Sequence, residues 1–372
     1  MHAWFRLTNL QLPARLSNAL LDRFGEPDRL FAASAADLLE SDLSGLTDKV
    51  VARILDPSFL PTDRQLKAME RFDVRLLTRD DSAYPRPLKD ISDPPVALYV
   101  RGRLDEKDRF AVALVGSRSA TPYGRSVTTK LSRELAQAGL TIVSGGAIGI
   151  DTAAHASVLE TTGRTLVVLG TGLDVDYPRE NQRLFERIVE SDQGALLSEF
   201  PMGSAPEPWH FPMRNRIISG LAMGVVVVEA GAQSGALLTA GLAAEQGREI
   251  MAVPGNVDRP TSRGSNALVR DGAVLVEGSQ DVLRALGILV LEPPVAGDSP
   301  RRPNASPPPA PVPNLTDGQK RLIEHLTLTP RHIDALAADV RMGSSDVSVQ
   351  LTLLELSGVV RRLPGNCYIR LL

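Results

Sequence analysis

A doubly wound, mostly parallel α/β sheet, with a helical unit before it and a small helix-and-hairpin unit after it, is the architecture this 372-residue chain predicts. Three observations predict it. The middle of the chain alternates short apolar runs with longer amphipathic ones, the signature of parallel strands wrapped by helices. The first seventy or so residues carry helical periodicity only. A proline-dense stretch, EPPVAGDSPRRPNASPPPAPVPN, then cuts off a short tail.

These shifts set the expected boundaries: a helical domain over 1–75, the sheet domain over 76–291, an extended solvated linker over 292–314 and a tail domain over 315–372. In the front unit LSNALLDRFGEPDRLFAAS and SAADLLESDLSGLTDKVVARIL read as helices, with Gly25 as a stop and Ser34 as an N-cap. Strands are expected at ALYV from Ala97, AVALV from Ala111, TIVS from Thr141, TLVVL from Thr165, ALLSEF from Ala195, GVVVVEA from Gly224, EIMAV from Glu249 and AVLV from Ala273. The tail offers short helices and then VVRRLPGNCYIRLL, a hairpin turning at Pro364, Gly365 and Asn366, which together suggest a winged helix.

Composition narrows the function classes. With 43% hydrophobic residues the chain can fill two or three cores. A single cysteine, Cys367, excludes a disulfide framework and a cysteine-rich zinc site. His2, His155, His210, His325 and His332 show no metal-ligand spacing, so neither a metal nor a cofactor is expected. The chain start is unlike a signal peptide and no apolar run approaches the roughly 20 residues of a membrane span, so a cytoplasmic location is expected. The net charge of -3 argues against a basic coat, so any polyanion site must be a local concentration of arginine.

In open parallel sheets ligands bind beyond the carboxyl ends of the strands, and glycine and serine recur there. Gly116-Ser117-Arg118 follows one strand, Ser144-Gly145-Gly146 the next, Gly170-Thr171-Gly172 a third and Gly231 to Gly235 a fourth. Small residues leave backbone N–H groups open to an anion. Neither the dinucleotide fingerprint nor the P-loop pattern is present. Arg118 stands inside the first turn, where a guanidinium beside N–H donors suits bidentate phosphate contact better than a solvated surface role. Arg179, in YPREN, reads equally as a helix-surface charge. Arg214 and Arg216, in FPMRNRIISG, suit either phosphate or salt bridges to Glu199 or Glu229. Asp151 and His155 lie one helical turn apart, as an acid/base pair or as a helix cap beside a packed imidazole. Glu229 and Glu245 would suit glycosidic cleavage, but no metal cluster, nucleophile elbow or Walker motif accompanies them.

The blocks DPPVALYVRG, VGSRSATPYG, VSGGAIGIDTAAH, LGTGLDVDYPREN, SEFPMG, FPMRNRIISGL, VVVVEAGAQSGALLTAGLAAEQGREIMAVPG and SRGSNALVRDGA, in this order, resemble the DNA-processing protein A (DprA/Smf) family over nearly the whole chain. The resemblance implies a Rossmann-like domain that binds and protects single-stranded DNA and helps load RecA recombinase in natural transformation and recombination, without enzymatic activity. It implies Arg118 and Arg179 as DNA contacts; Gly116, Ser117, Ser144, Gly145, Gly146, Arg214 and Arg216 join them as candidates from the reading of the turns and their arginines. It implies a homodimer through a face between about Gly241 and Leu286, where Met251 and Leu268 are either apolar contacts or core residues. The family's front module resembles SAM or helix-hairpin-helix domains, of which only LSGLTDK is visible here. The tail is expected to meet double-stranded DNA or protein; its presumed recognition helix, SSDVSVQLTLLELSG, carries Asp346 and Glu355 and no basic residue, leaving Arg361 and Arg362 in the wing for DNA. An alternative resemblance is to nucleotide phosphoribohydrolases of the lysine-decarboxylase-like superfamily, whose P-G-G-x-G-T motif is absent.

Overall fold

In the computed structural model, residues 1–288, 315–327, 330–340, 342–356, 359–363 and 365–370 are described. The chain divides into two compact units, Met1–Val290 and Leu291–Leu372. The expected linker over 292–314, and Pro364 of the expected turn, lie outside the described residues.

The first unit opens with helices α1 (His2–Asn9), α2 (Ala14–Phe24), α3 (Pro27–Ala32), α4 (Ala35–Glu40), α5 (Asp48–Leu55) and α6 (Asp63–Arg71). Their boundaries follow local chemistry. Gly25 ends α2 at φ 84°, and Ser34 caps α4 in a reciprocal box with Asp37. The leucines of this helical unit, among them Leu7, Leu10, Leu20, Leu30 and Leu38, close a core of their own. Phe5 of α1 instead packs into the sheet's core with Val74 and Tyr99, and Thr8 shares a hydrogen bond with the Tyr99 hydroxyl at 2.8 Å.

That contact involves a strand the sequence pattern did not reveal. β1 (Val74–Thr78) falls across the expected boundary at residue 75 and pairs antiparallel with β2 (Ala97–Gly102), after the short α7 (Arg86–Lys89). The sheet continues through β3 (Ala111–Val115), α8 (Pro122–Gln137), β4 (Thr141–Ser144), α9 (Ile150–Val158), β5 (Thr165–Leu169), α10 (Gln182–Glu190), β6 (Gly194–Ser198), α11 (His210–Leu221), β7 (Gly224–Val227), α12 (Gly235–Glu245), β8 (Glu249–Ala252), α13 (Arg263–Arg270), β9 (Val274–Leu275) and α14 (Ser279–Ala285). Its nine strands run in the order β1-β2-β6-β5-β4-β3-β7-β8-β9. The stretch from β6 to β9 is parallel, β2 pairs antiparallel with β6, and β1 forms the edge beyond it. Every residue of β3, β4, β5, β6 and β7 is buried, because helices cover both faces; these strands therefore read as continuous apolar runs rather than alternating ones.

The reversal of strand order falls between β3 and β7 on one side and β3 and β4 on the other, which opens a crevice above the carboxyl end of β3. Met251, expected on a dimer face, is a correction: it lies fully buried in β8, in the core with Val226 and Val253. Leu268 is half-buried against the opposite core layer.

The second unit contains α15 (Asp317–Glu324), β10 (Arg331–His332), α16 (Ile333–Val340), α17 (Ser344–Leu356), β11 (Val360–Leu363) and β12 (Cys367–Arg370). β11 and β12 form the expected hairpin, with Leu363 opposite Cys367, and β10 adds to its outer side. Three helices and a three-stranded wing make this a winged helix. No helix among the described residues is long and apolar enough to cross a membrane.

Candidate nucleic-acid interface

The loops beyond β3, β4, β5 and β7 enclose a groove in two adjoining basins of about 880 and 550 Å³. Arg118, Tyr177, Pro206, Phe211 and Arg214 border both. The first basin also reaches Gly116, Ser117 and the Gly231–Gly235 turn, and the second reaches Gly145, Gly170 and Arg179.

Arg118 is exposed at the tip of the first glycine turn, its guanidinium carbon 5.5 Å from the Phe211 ring centre. The turn beneath it is pinned. Ser117 donates its N–H to the Glu229 carbonyl at 2.7 Å, and Ile150 at the start of α9 donates to the Ser117 carbonyl at 3.2 Å. Gly149 permits that approach, since at φ 93° it takes a backbone shape side chains disfavour, and a Cβ there would strike the Ser117 and Arg118 carbonyls. The Ser117 hydroxyl accepts the Ser119 N–H at 3.1 Å, which closes the turn and directs the Arg118 side chain outward.

The second glycine turn is built differently. The Gly145 and Ala147 N–H groups both donate to the Asp151 carboxylate, at 3.1 and 3.2 Å. Ser144 is fully buried, its hydroxyl donating to the Leu114 carbonyl at 2.6 Å, and the buried Gly146 gives its carbonyl to the Asn181 amide at 2.9 Å. The Gly145 N–H and the Ser144 hydroxyl, both expected to face an external phosphate, are thus taken up within the protein. The anion that this turn holds is the protein's own.

Arg214 lies on the groove floor, buried, and donates to the Gly145 carbonyl at 2.5 Å and to the Val168 carbonyl. Gly145 accommodates it, because a Cβ there would come within 2.7 Å of the guanidinium. Burial pulls the Arg214 pKa down to about 10, against the opposing pull of Asp151. Burial likewise raises the Asp151 pKa, while Arg214 and the loop hydrogen bonds favour its charged form. Arg216 is corrected more fully. It points away from the groove, buried, with carboxylates of Glu199 at 2.6 Å and Asp93 at 3.2 Å.

Among the described residues, neither Arg118 nor Arg179 forms an ion pair. Arg179 stands exposed on a short 3₁₀ turn, Arg179–Asn181, at the rim of the second basin, where Asp176 and Glu180 are also found. Between the two arginines sits an aromatic pair that the sequence reading passed over: Tyr177 and Phe211, ring centres 5.6 Å apart. Tyr177 stands two residues before Arg179 in YPREN and Phe211 three before Arg214 in FPMRNR, and that proximity was the available signal.

Of the groups considered for catalysis, Glu245 is exposed and lines neither basin, whereas Glu229 and His155 are engaged in the interior. Glu229 is buried and accepts the Thr121 N–H at 2.9 Å. His155 is fully buried against Thr165, Nδ1 to Oγ1 2.7 Å. The Thr165 hydroxyl donates onward to the Ile142 carbonyl, so Nδ1 of the neutral ring carries the proton and Nε2 is left bare. Burial pulls the His155 pKa down to about 3.

The family model described as DNA recombination-mediator protein A matches residues 75–287, and that of the DprA winged helix domain matches residues 306–366. Protein Smf of Synechocystis sp. is 35% identical over 368 residues, 91% of either chain. This chain belongs to the DNA recombination-mediator protein A family. Protein Smf of Escherichia coli is 37% identical over 339 residues, 91% of this chain and 88% of that one. Among solved structures, DNA processing protein A from Streptococcus pneumoniae is 35% identical and superposes with a TM-score of 0.62 over 76% of this chain and 96% of that one. The structure addressing the single-stranded DNA binding mode of DNA processing protein A from Helicobacter pylori is 31% identical, with a TM-score of 0.51 over 58% of this chain and 96% of that chain. The family's fold and its winged helix are thus both present here.

Proposed function

We propose that this protein binds single-stranded DNA in the two-basin groove, protects it, and presents it to a RecA recombinase during transformation and recombination. The observation that carries the reading is an aromatic pair, Tyr177 and Phe211, set between two exposed arginines with no acidic partner among the described residues. Unpaired guanidiniums take backbone phosphates and the ring faces take unstacked bases, which is how strands are held without sequence readout. Gly116 and Ser117 shape the turn that presents Arg118, and Arg214 stiffens the floor. The family resemblance supports recombinase loading and a homodimer. With Met251 in the core, the dimer face between Gly241 and Leu286 rests on surface positions such as Leu275, 42% exposed on the edge strand β9. Pairing two copies would let one strand be held twice.

A titration with oligothymidylate across a salt series tests the reading. Binding through roughly three to five phosphates gives a log-log slope of about -0.7 per phosphate. A flat salt dependence would remove the arginines from the mechanism. The hydrolase alternative predicts free adenine from AMP; the engagement of Asp151 and Glu229 by backbone donors supports the opposite outcome.

A further inference from the structure

A third concavity, of about 450 Å³, lies on the seam between the front helices and the sheet domain. Its front wall is the turn from Ser58 to Gln65 together with Asn9 and Gln11, and its rear wall is Asp174 with Pro201 to Ser204. The seam is held shut beneath it by an amide lattice. Asn9 and Gln65 exchange hydrogen bonds at 3.3 and 3.0 Å, Asn9 also donates to the Phe59 carbonyl at 3.2 Å, and Gln65 donates to the Met202 carbonyl at 3.3 Å.

Two side chains facing this concavity are not engaged by that lattice. Arg64 is exposed and forms no ion pair among the described residues. Gln11 is exposed, held at φ 44° in the left-handed region that non-glycine residues seldom occupy. Phe59 adds a half-buried ring with the Arg53 guanidinium 5.4 Å from its centre. Among the described residues, a guanidinium without an ion pair, an exposed amide and a ring in a nucleotide-sized space are the groups that take a phosphate, a base edge and a base face.

The seam concavity adjoins the DNA groove. Asp174 lines the first and its neighbour Val175 lines the second basin of the groove; Ser204 lines the first and Pro206 both basins. Asp174 also accepts the Gly203 N–H at 2.7 Å, which ties these two bordering loops together at the crossing point.

We infer that a single strand lying in the groove continues over the Asp174–Tyr177 loop into the seam, where Arg64 and Gln11 of the front helical unit hold further nucleotides. The front helices are then part of the DNA-binding surface. This inference rests on the groove reading above, and oligonucleotide length separates the two. A short oligothymidylate of about six nucleotides fits the groove alone, whereas one of about sixteen also reaches the seam.

The test is fluorescence anisotropy of both lengths with Arg64→Glu and Gln11→Ala, each checked for an unchanged circular dichroism spectrum. The expected result is a loss of affinity of about tenfold for Arg64→Glu and a few-fold for Gln11→Ala with the long strand, and none with the short one. Hydrogen exchange supplies a second measurement on the unmodified protein, with slowed exchange at 58–65 and 201–204 expected from the long strand only. Equal affinity changes for both lengths, or no change for either, would overturn the inference while leaving the groove reading intact. Loss of short-strand binding by Arg118→Glu, or its absence, addresses the groove alone.

Discussion

The two glycine turns at the head of the sheet share one grammar, an apolar strand followed by small residues and a helix, yet one faces outward and the other inward. The Gly116–Ser119 turn closes on its own serine and leaves Arg118 exposed against Phe211. The Ser144–Ala147 turn is filled by the Asp151 carboxylate and roofed by Arg214. A glycine-rich turn is therefore an anion site only while its N–H groups have no internal partner, and the partner here arrives from six residues downstream.

This contrast is broken or sharpened most strongly at Arg214. Arg214→Met leaves the buried Asp151 carboxylate without its opposing charge, and a loss of about 3–5 kcal/mol in urea unfolding is expected. A variant as stable as the parent would mean the inner turn does not depend on that charge. At the outer turn the effect moves from stability to binding. Arg118→Glu should weaken single-strand affinity well over tenfold, with stability within about 0.5 kcal/mol of the parent, since the side chain is exposed. Phe211→Ala should cost about 1–3 kcal/mol of binding through a lost base contact, read by the same anisotropy titration.

The smallest expected effect is a pH slope from His155, on the helix behind the inner turn. Its pKa is pulled from the ordinary 6.5 to about 3 in the folded protein, so the unfolded chain binds more protons between those values. The contribution is fully present above about pH 6.5 and fades as pH falls toward 3. Urea midpoints at pH 7 and pH 5 should differ more in the parent than in His155→Gln, and parallel curves would assign the slope to other groups.

Much of the sheet was legible because parallel strands buried on both faces appear as unbroken apolar runs, as in AVALV and TLVVL. β1 was missed because VRLLT follows a helix with scarcely a break and exposes Arg75 within it. Arg118 stood out from its setting inside a glycine turn after a strand, whereas the residues alone left Arg179 equally a helix-surface charge. Arg216 was legible as a choice between phosphate and an ion pair: Glu199 was among the expected partners, whereas Asp93, more than a hundred residues away in sequence, was not. The engagement of Gly145 by Asp151 also needed coordinates, since the same GIDTAAH text permits a cap, an ion pair or an acid. The aromatic pair was overlooked for a simpler reason: with aromatic content at 4%, the few rings that exist were weighed as a total and not by place.

Helix α11 carries Phe211 at its first turn and is otherwise locked into the interior, with Asn215, Ile217, Ile218, Ser219, Gly220 and Leu221 all buried. A ring mounted on such a rod has its position settled before any ligand arrives. The loss of conformational freedom on association then falls on the incoming strand rather than on its receptor. If the proposed groove holds a strand, a flexible, unstacked polymer meets that demand differently from one already stacked, and discrimination among strands of the same charge would reside in how readily each gives up its own internal order.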